Sequence, residues 1–348
     1  MSYVRAVEVL RGGIVESLHH GAAVVSDADG GIVARLGDPA AVTFPRSSLK
    51  ALQALPLVES GAADAFGLAP EHIALAAASH AAEPFHVALV SEWLARIGLA
   101  DDALACGPAW PRNEADRDAL LARGGRPKRR FNNCSGKHAG MLTVCVHGGL
   151  PVDGYARLSH PLQQEILGIV GALAGRPLSA ADVGVDGCDL PSIALSMAEM
   201  ALAIARFSAR QTDVPGRAEA MARILDAMRR HPAHVSGTGT PTVAIAEATE
   251  GRVLVKTGAE GYAVAFLPAE GLGVALKTAD GADRARWVIL IELLDRAGLL
   301  SRAEAERLAS LRHPAVLNSV GREVGVVRPA LDGLVVEEGG GGAPQALI

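Results

Sequence analysis

The chain has 348 residues, of which 49% are hydrophobic, 20% charged and only 3% aromatic, and it carries a formal net charge of -5. The apolar share excludes a mostly disordered chain, and the acidic balance argues against nucleic acid as the principal partner. The length suits one large domain or two fused lobes, with a core built mainly from Ala, Val and Leu.

The short apolar runs 4–10, 14–18, 22–26 and 32–36 are separated by glycines and by Asp29-Gly30-Gly31, and they read as strands. Charges at Arg5, Glu8 and Arg11 leave the start without the apolar centre of a secretory signal. Helical patterns then take over. Pro84 opens a segment in which Phe85, Leu89, Trp93 and Ile97 recur at helical spacing, and 114–123, 136–147, 159–173, 192–208 and 215–230 are further helix candidates. The most lipid-like stretch, 190–209, is interrupted by Glu199 and Arg206 and reads as a buried helix rather than a membrane span.

From Pro241 the pattern returns to strands at 242–247, 253–257, 262–267 and 273–277, separated by Glu-Gly turns as in an antiparallel meander. Asp280 is placed to cap a long helix, and a shorter one follows at 301–311. Strands at both ends and helices between them predict an α+β fold. An antiparallel sheet is assembled from 1–45 and 236–330, a helical region spans 46–235, and 337–348 form a flexible tail. Four cysteines without a CxxC pair give no disulfide framework, so a reducing cytoplasm is the expected location.

Of 33 basic residues only five are lysine, and the other 28 are arginine. Arginine serves wherever only a positive charge is needed. Lysine alone can lose its proton and act as base or ligand, so surviving lysines mark candidate chemistry. Lys128, in a run of basic residues, is a chance survivor on this reading; Lys50, Lys137 and Lys256 have more telling neighbours.

Ser47-Ser48-Leu49-Lys50 is a Ser-x-x-Lys sequence at a helix start, with Ser47 and Lys50 on one face. A serine hydroxyl becomes a nucleophile once a base takes its proton, and a lysine of lowered pKa can be that base. Lys256-Thr257-Gly258 on a late strand is the partner motif of penicillin-recognising enzymes, although their Ser-Asp-Asn is absent. Ser79 is placed to supply its serine, with helix capping as the competing role. In Asn133-Cys134-Ser135-Gly136-Lys137-His138, Cys134 lies at a helix N-terminus, which favours thiolate. Cys188, after Asp186-Gly187, adds a second thiol. The two thiols with a lysine or histidine would make a zinc site, against the alternative that they are small buried hydrophobes. Cys106 and Cys145 read as core.

Taken together these blocks resemble the rhizobial-type L-asparaginases (asparaginase II family). They include Phe44 to Lys50, Ala78-Ser79-His80, Asn133 to His138, Asp186-Gly187-Cys188, Lys256 to Gly261 and Leu276 to Gly281, and the likeness runs from about 5 to 330. The resemblance implies hydrolysis of L-asparagine to aspartate and ammonia, a fold like serine β-lactamases and serine-dependent glutaminases, and a homodimer. It implies two Ser-Lys pairs, Ser47 with Lys50 and Ser79 with Lys256. Zinc would be held by Cys134, Lys137 and Cys188, aiding substrate placement, with Asp186 nearby. Arg46, Asn133, His138, Asp186, Gly258 and Glu260 are the implied substrate contacts. The chain departs from its relatives at Ala81-Ala82, where they often carry Ser-Gly, and at 238–242, which lacks an Arg-x-Asp often seen there. The competing functions are a glutaminase or β-lactamase-like hydrolase, an enzyme with Cys134 as nucleophile, a non-catalytic amino-acid or metal sensor, and a structural zinc protein.

Overall fold

The computed structural model describes residues 2–337, and the chain divides into two compact units. One comprises 1–45, 195–211 and 244–348; the other comprises 46–194 and 212–243. The expected tail falls largely outside the described residues.

The first unit is built on an antiparallel sheet. Its strands run in the order Ala315–Leu317, Glu323–Pro329, Val4–Arg11, Ile14–Ser26, Leu272–Thr278, Tyr262–Leu267, Leu254–Thr257. The N-terminal strand Ile14–Ser26 pairs directly with the C-terminal strand Leu272–Thr278, Val25 opposite Val274. The sheet is thus assembled from both ends of the chain, as the pattern of predicted strands required. Runs 14–18 and 22–26 form one continuous strand, because Gly21 continues the ladder opposite Thr278.

Helices cover both faces of this sheet. Ala263, Ala265 and Leu267 join a core with Ile289, Leu290 and Leu293 of the Asp283–Arg296 helix. On the alternate face Phe266 meets Phe207 of the Met197–Ala209 helix, ring centroids 5.5 Å apart. Strand Tyr262–Leu267 is therefore buried at every position instead of alternating. The Met197–Ala209 helix, expected within the helical region, belongs to this sheet unit, and 191–196 preceding it is extended.

Two local expectations are corrected. Residues 242–247 are not a strand but part of the helix Pro241–Ala248. Proline at its start and alanines at 244, 246 and 248 favour helix, and a short apolar run carries no decisive periodicity. Asp280 does not cap the following helix, whose N-cap is Ala282; it accepts the Ala282 N–H and also pairs with His19 Nδ1 at 2.5 Å.

The second unit is helical. Its centre is the helix Ser135–Gly148, buried from Ser135 through Cys145. The helix Pro70–Ala76 packs so closely on its first turn that a Cβ on Gly136 would overlap the Leu75 carbonyl and lie 2.6 Å from Leu75 Cγ. Trp93, fully buried on the helix Pro84–Arg96, donates from Nε1 to Thr143 Oγ1 at 2.9 Å. These contacts fix the position of the residues that begin the central helix, Cys134 to His138.

Candidate active site

The Ser-x-x-Lys segment of the second unit begins as a 3-10 turn, Arg46–Leu49, and continues as a short helix, Lys50–Gln53. Arg46 has a φ of 54°, a conformation unusual for a residue with a side chain. Its guanidinium is held by Asp186, whose Oδ1 accepts from Nε at 3.0 Å and from a terminal nitrogen at 2.7 Å. Burial works against the Asp186 charge, but the hydrogen bond from Arg46 and the nearby Lys137 ammonium hold its pKa below the usual carboxylate value.

Lys50 is fully buried. Its Nζ donates to Ala78 O at 2.5 Å, to Ser79 Oγ at 3.0 Å and to Asn133 O at 3.4 Å, and it also bonds the Cys134 thiol. The hydroxyl in contact with Lys50 is therefore that of Ser79. The sequence spacing placed Ser47 beside Lys50, but Ser47 is not among these partners; it stands half-buried in the preceding 3-10 turn. Burial is the main force on the Lys50 amine and pushes its pKa down, opposed by the Cys134 thiol and reinforced by Lys137.

Ser79 lies between two helices, and its N–H donates to Val235 O at 2.9 Å. It caps neither helix: Pro70–Ala76 ends before it, and Pro84–Arg96 has Glu83 as N-cap.

Cys134, Lys137 and Cys188 come together. Lys137 Nζ donates to Cys188 Sγ at 3.3 Å, and the two thiols share a hydrogen bond. That bond, together with Lys50 and Lys137, holds Cys134 well below the ordinary thiol pKa, while Cys188, its donor, is raised. Burial disfavours the Lys137 charge, but Cys188, Cys134 and Asp186 outweigh it and raise this amine. Cys106 and Cys145 are fully buried, with thiols pushed up to about 12 and about 11 mainly by burial. They are core, as their apolar settings indicated.

The Asn133 side-chain Oδ1 lies 3.3 Å from Cys134 Sγ. His138 is buried, and burial followed by the two lysines depresses its pKa well below 6.5. Its Nδ1 lies 2.6 Å from the Tyr155 hydroxyl, which accepts the Ala105 N–H at 2.9 Å. Tyr155 drew no attention in the sequence, since a lone tyrosine in a turn-rich stretch carries no motif.

In the sheet unit Lys256 is buried on strand Leu254–Thr257, and its Nζ donates to Thr257 O at 2.7 Å. The turn after it is braced from beneath. Arg286, buried in the Asp283–Arg296 helix, donates to Gly258 O at 2.9 Å and to Tyr262 O at 2.8 Å. Lys277 Nζ donates to Glu260 O at 2.6 Å. Gly261 has a φ of 68° and sits tight against Thr278, so no side chain fits there. The sequence signal for Arg286 was an arginine on the apolar stripe of a helix, a position that needs a buried partner.

A serine hydroxyl beside a buried lysine amine, with two thiols and a second lysine close by, is a set of groups able to serve acyl transfer. The comparisons with known proteins narrow this class. The L-asparaginase II family model matches residues 7–329, so the chain belongs to that family and is an asparaginase-type amidohydrolase. No curated protein matches it. Among solved structures it is similar to a β-lactamase from Mycobacterium bovis, at 16% identity over 80% of this chain and 94% of that one. The TM-score is 0.41. No helix among the described residues is long and apolar enough to cross a membrane.

Proposed function

We propose that the chain hydrolyses the side-chain amide of L-asparagine to L-aspartate and ammonia through a Ser-Lys apparatus centred on Lys50. The observation that carries this reading is the fully buried Lys50 amine, its pKa pushed down, 3.0 Å from Ser79 Oγ. A buried amine that is neutral part of the time can take a hydroxyl proton; an exposed one at neutral pH cannot.

In this reading Ser47, the more accessible serine, attacks the amide carbonyl. Lys50 is assigned to receive its proton on the resemblance, since the hydroxyl that Lys50 touches is that of Ser79. Ser79, hydrogen-bonded to Lys50, passes a proton to the departing nitrogen, since an amide leaves only as ammonia. Water then cleaves the β-aspartyl ester. Lys256 is assigned as the second catalytic amine, and Gly258 and Glu260 as substrate contacts, on the resemblance alone. Arg46 and Asp186, with Asn133 and His138, are assigned to the substrate's charged and amide groups. The direct Lys50–Ser79 bond favours one variant, in which Ser79 is itself the nucleophile.

The set Cys134, Lys137 and Cys188 fits a metal. Among the described residues no group of three or more His, Cys, Asp or Glu could hold one, so the third ligand here would be the lysine amine. Two sulfur donors and a nitrogen suit Zn²⁺. We assign these three residues to it, and the bound ion would supply a positive anchor for substrate. Equilibrium dialysis tests the assignment: wild type retains zinc and Cys188→Ser does not, whereas equal retention removes it.

Ammonia release from asparagine and from glutamine, measured on wild type, Ser47→Ala and Ser79→Ala, tests the function. Turnover of asparagine that both substitutions abolish is expected. No ammonia from wild type with either amide would end the proposal. A homodimer, expected from the resemblance, is tested by sedimentation.

A further inference from the structure

The residue after Ser79 is a buried histidine whose backbone N–H and both ring nitrogens are engaged, and the catalytic reading gives it no part. The His80 backbone N–H donates to Asn133 O at 3.2 Å, the carbonyl that Lys50 also reaches. Its Nδ1 accepts the Ala82 N–H at 3.1 Å, so the ring hydrogen sits on Nε2. Nε2–H then donates to Ser135 Oγ, 2.8 Å away, and the Ser135 hydroxyl donates to Arg130 O at 3.0 Å. Every donor points the same way along this chain, from Ala82 through His80 and Ser135 to Arg130.

The chain adds a side-chain tie between two segments that also meet through the His80 N–H to Asn133 O bond and through Lys50. One is the 78–82 link, where Ala82 has a φ of 59° and Ser79 hangs between two helices. The other is the 130–135 turn, which presents Asn133 and Cys134 at the start of the central helix. Lys50 reaches across both, to Ala78 O and Ser79 Oγ on one and Asn133 O on the other. The three Lys50 distances can be satisfied together only while the two segments are held at fixed separation. The imidazole spans that separation, and His86 stacks on its other side, ring centroids 5.1 Å apart and 18° from parallel.

We propose that His80 is a positioning residue for the reaction: through Ser135 it holds the Ser79 segment at hydrogen-bonding distance from the Lys50 amine. This rests on the reading of Lys50 and Ser79 as catalytic. It predicts a loss in kcat with little change in KM, because His80 acts on the placement of the reacting groups.

The test uses His80→Asn, His80→Gln and Ser135→Ala in the full-length protein, with asparagine as substrate and folded protein quantified by circular dichroism. Asparagine keeps an acceptor near the position of Nδ1 but has no reach to Ser135; glutamine places an amide donor near the position of Nε2. A misplacement of about 1 Å costs roughly 100-fold. We therefore expect His80→Asn to lower kcat by ~10- to 100-fold at a KM within about twofold of wild type, and His80→Gln to restore most of it. Ser135→Ala, which removes a single oxygen atom, lowers kcat in the same sense, and adds nothing in the His80→Asn background. Equal kcat in His80→Asn and His80→Gln, or wild-type kcat in Ser135→Ala, overturns the proposal. Ser79→Ala separates the two levels. If it is inactive while Ser135→Ala retains wild-type kcat, only the role of His80 fails. If Ser79→Ala itself retains wild-type kcat, the catalytic reading of Ser79 has failed.

Discussion

Replacing Lys50 with methionine removes the amine and keeps the length and bulk of the side chain. Three oxygen acceptors and the Cys134 thiol lose a partner, but unequally; Cys134 keeps its hydrogen bond with Cys188. Asn133 O retains the His80 N–H, and the Ser79 hydroxyl can reorient, so Ala78 O bears most of the loss. One orphaned buried carbonyl costs about 1–3 kcal/mol. Against this, the buried side chain no longer carries an ionisable amine, whose burial is itself unfavourable. The two terms nearly offset, and the variant is expected to lie within about 2 kcal/mol of wild type, a shift in Tm of no more than roughly 8 °C. Activity responds differently. Loss of a general base lowers rate by ~100- to 10,000-fold, and about 1,000-fold corresponds to ~4 kcal/mol of barrier. Lys50→Arg should be as inactive, because a guanidinium holds its proton. The assay is ammonia release paired with thermal unfolding on the same preparations. A Lys50→Met protein that folds normally and keeps more than about a tenth of wild-type kcat would refute the reasoning, since a base worth ~100-fold or more cannot be absent at so small a cost.

Gly136→Ala should destabilise the helical unit by about 1–3 kcal/mol, because its Cβ meets the Leu75 backbone, which cannot move aside as a side-chain end would; denaturant unfolding measures it. Arg286→Met removes charged donors from Gly258 O and Tyr262 O and should cost about 3 kcal/mol, read by the same method, with unchanged stability counting against the brace. His86 has its pKa lowered from 6.5 to about 4, chiefly by burial, so the unfolded chain binds this proton more readily than the folded one. Stability from this group is full above pH 6.5 and falls as pH drops towards about 4, by on the order of 3 kcal/mol, and His86→Gln should flatten that part of the stability profile.

The sheet was legible because its strands are short, apolar and punctuated by glycine, and because strands stood at both ends of the chain. The Met197–Ala209 helix was recognised as a helix, but its packing against the sheet depends on Phe207 meeting Phe266, a contact across 59 positions that no local pattern encodes. Rarity picked out Lys50, Lys137 and Lys256, and all three are buried. What spacing could not give was the partner. Ser47 and Lys50 share a turn in sequence, yet the amine reaches Ser79, because the 3-10 geometry of 46–49 and the packing of 78–80 decide where Nζ ends. Residues that act by bracing, such as Tyr155, His80 and Arg286, carry no sequence pattern that names their partners. Their importance lies in hydrogen bonds to backbone atoms and neighbours that only the fold brings near.

The most direct measurement is acid quenching of the wild-type protein during turnover of asparagine, followed by peptide mapping for a β-aspartyl ester. The account predicts an ester on Ser47, or on Ser79 if the hydroxyl touching Lys50 is the one that attacks, and none in the Lys50→Met protein. An acyl group on Cys134, or full turnover with no acylated residue at any quench time, would contradict it.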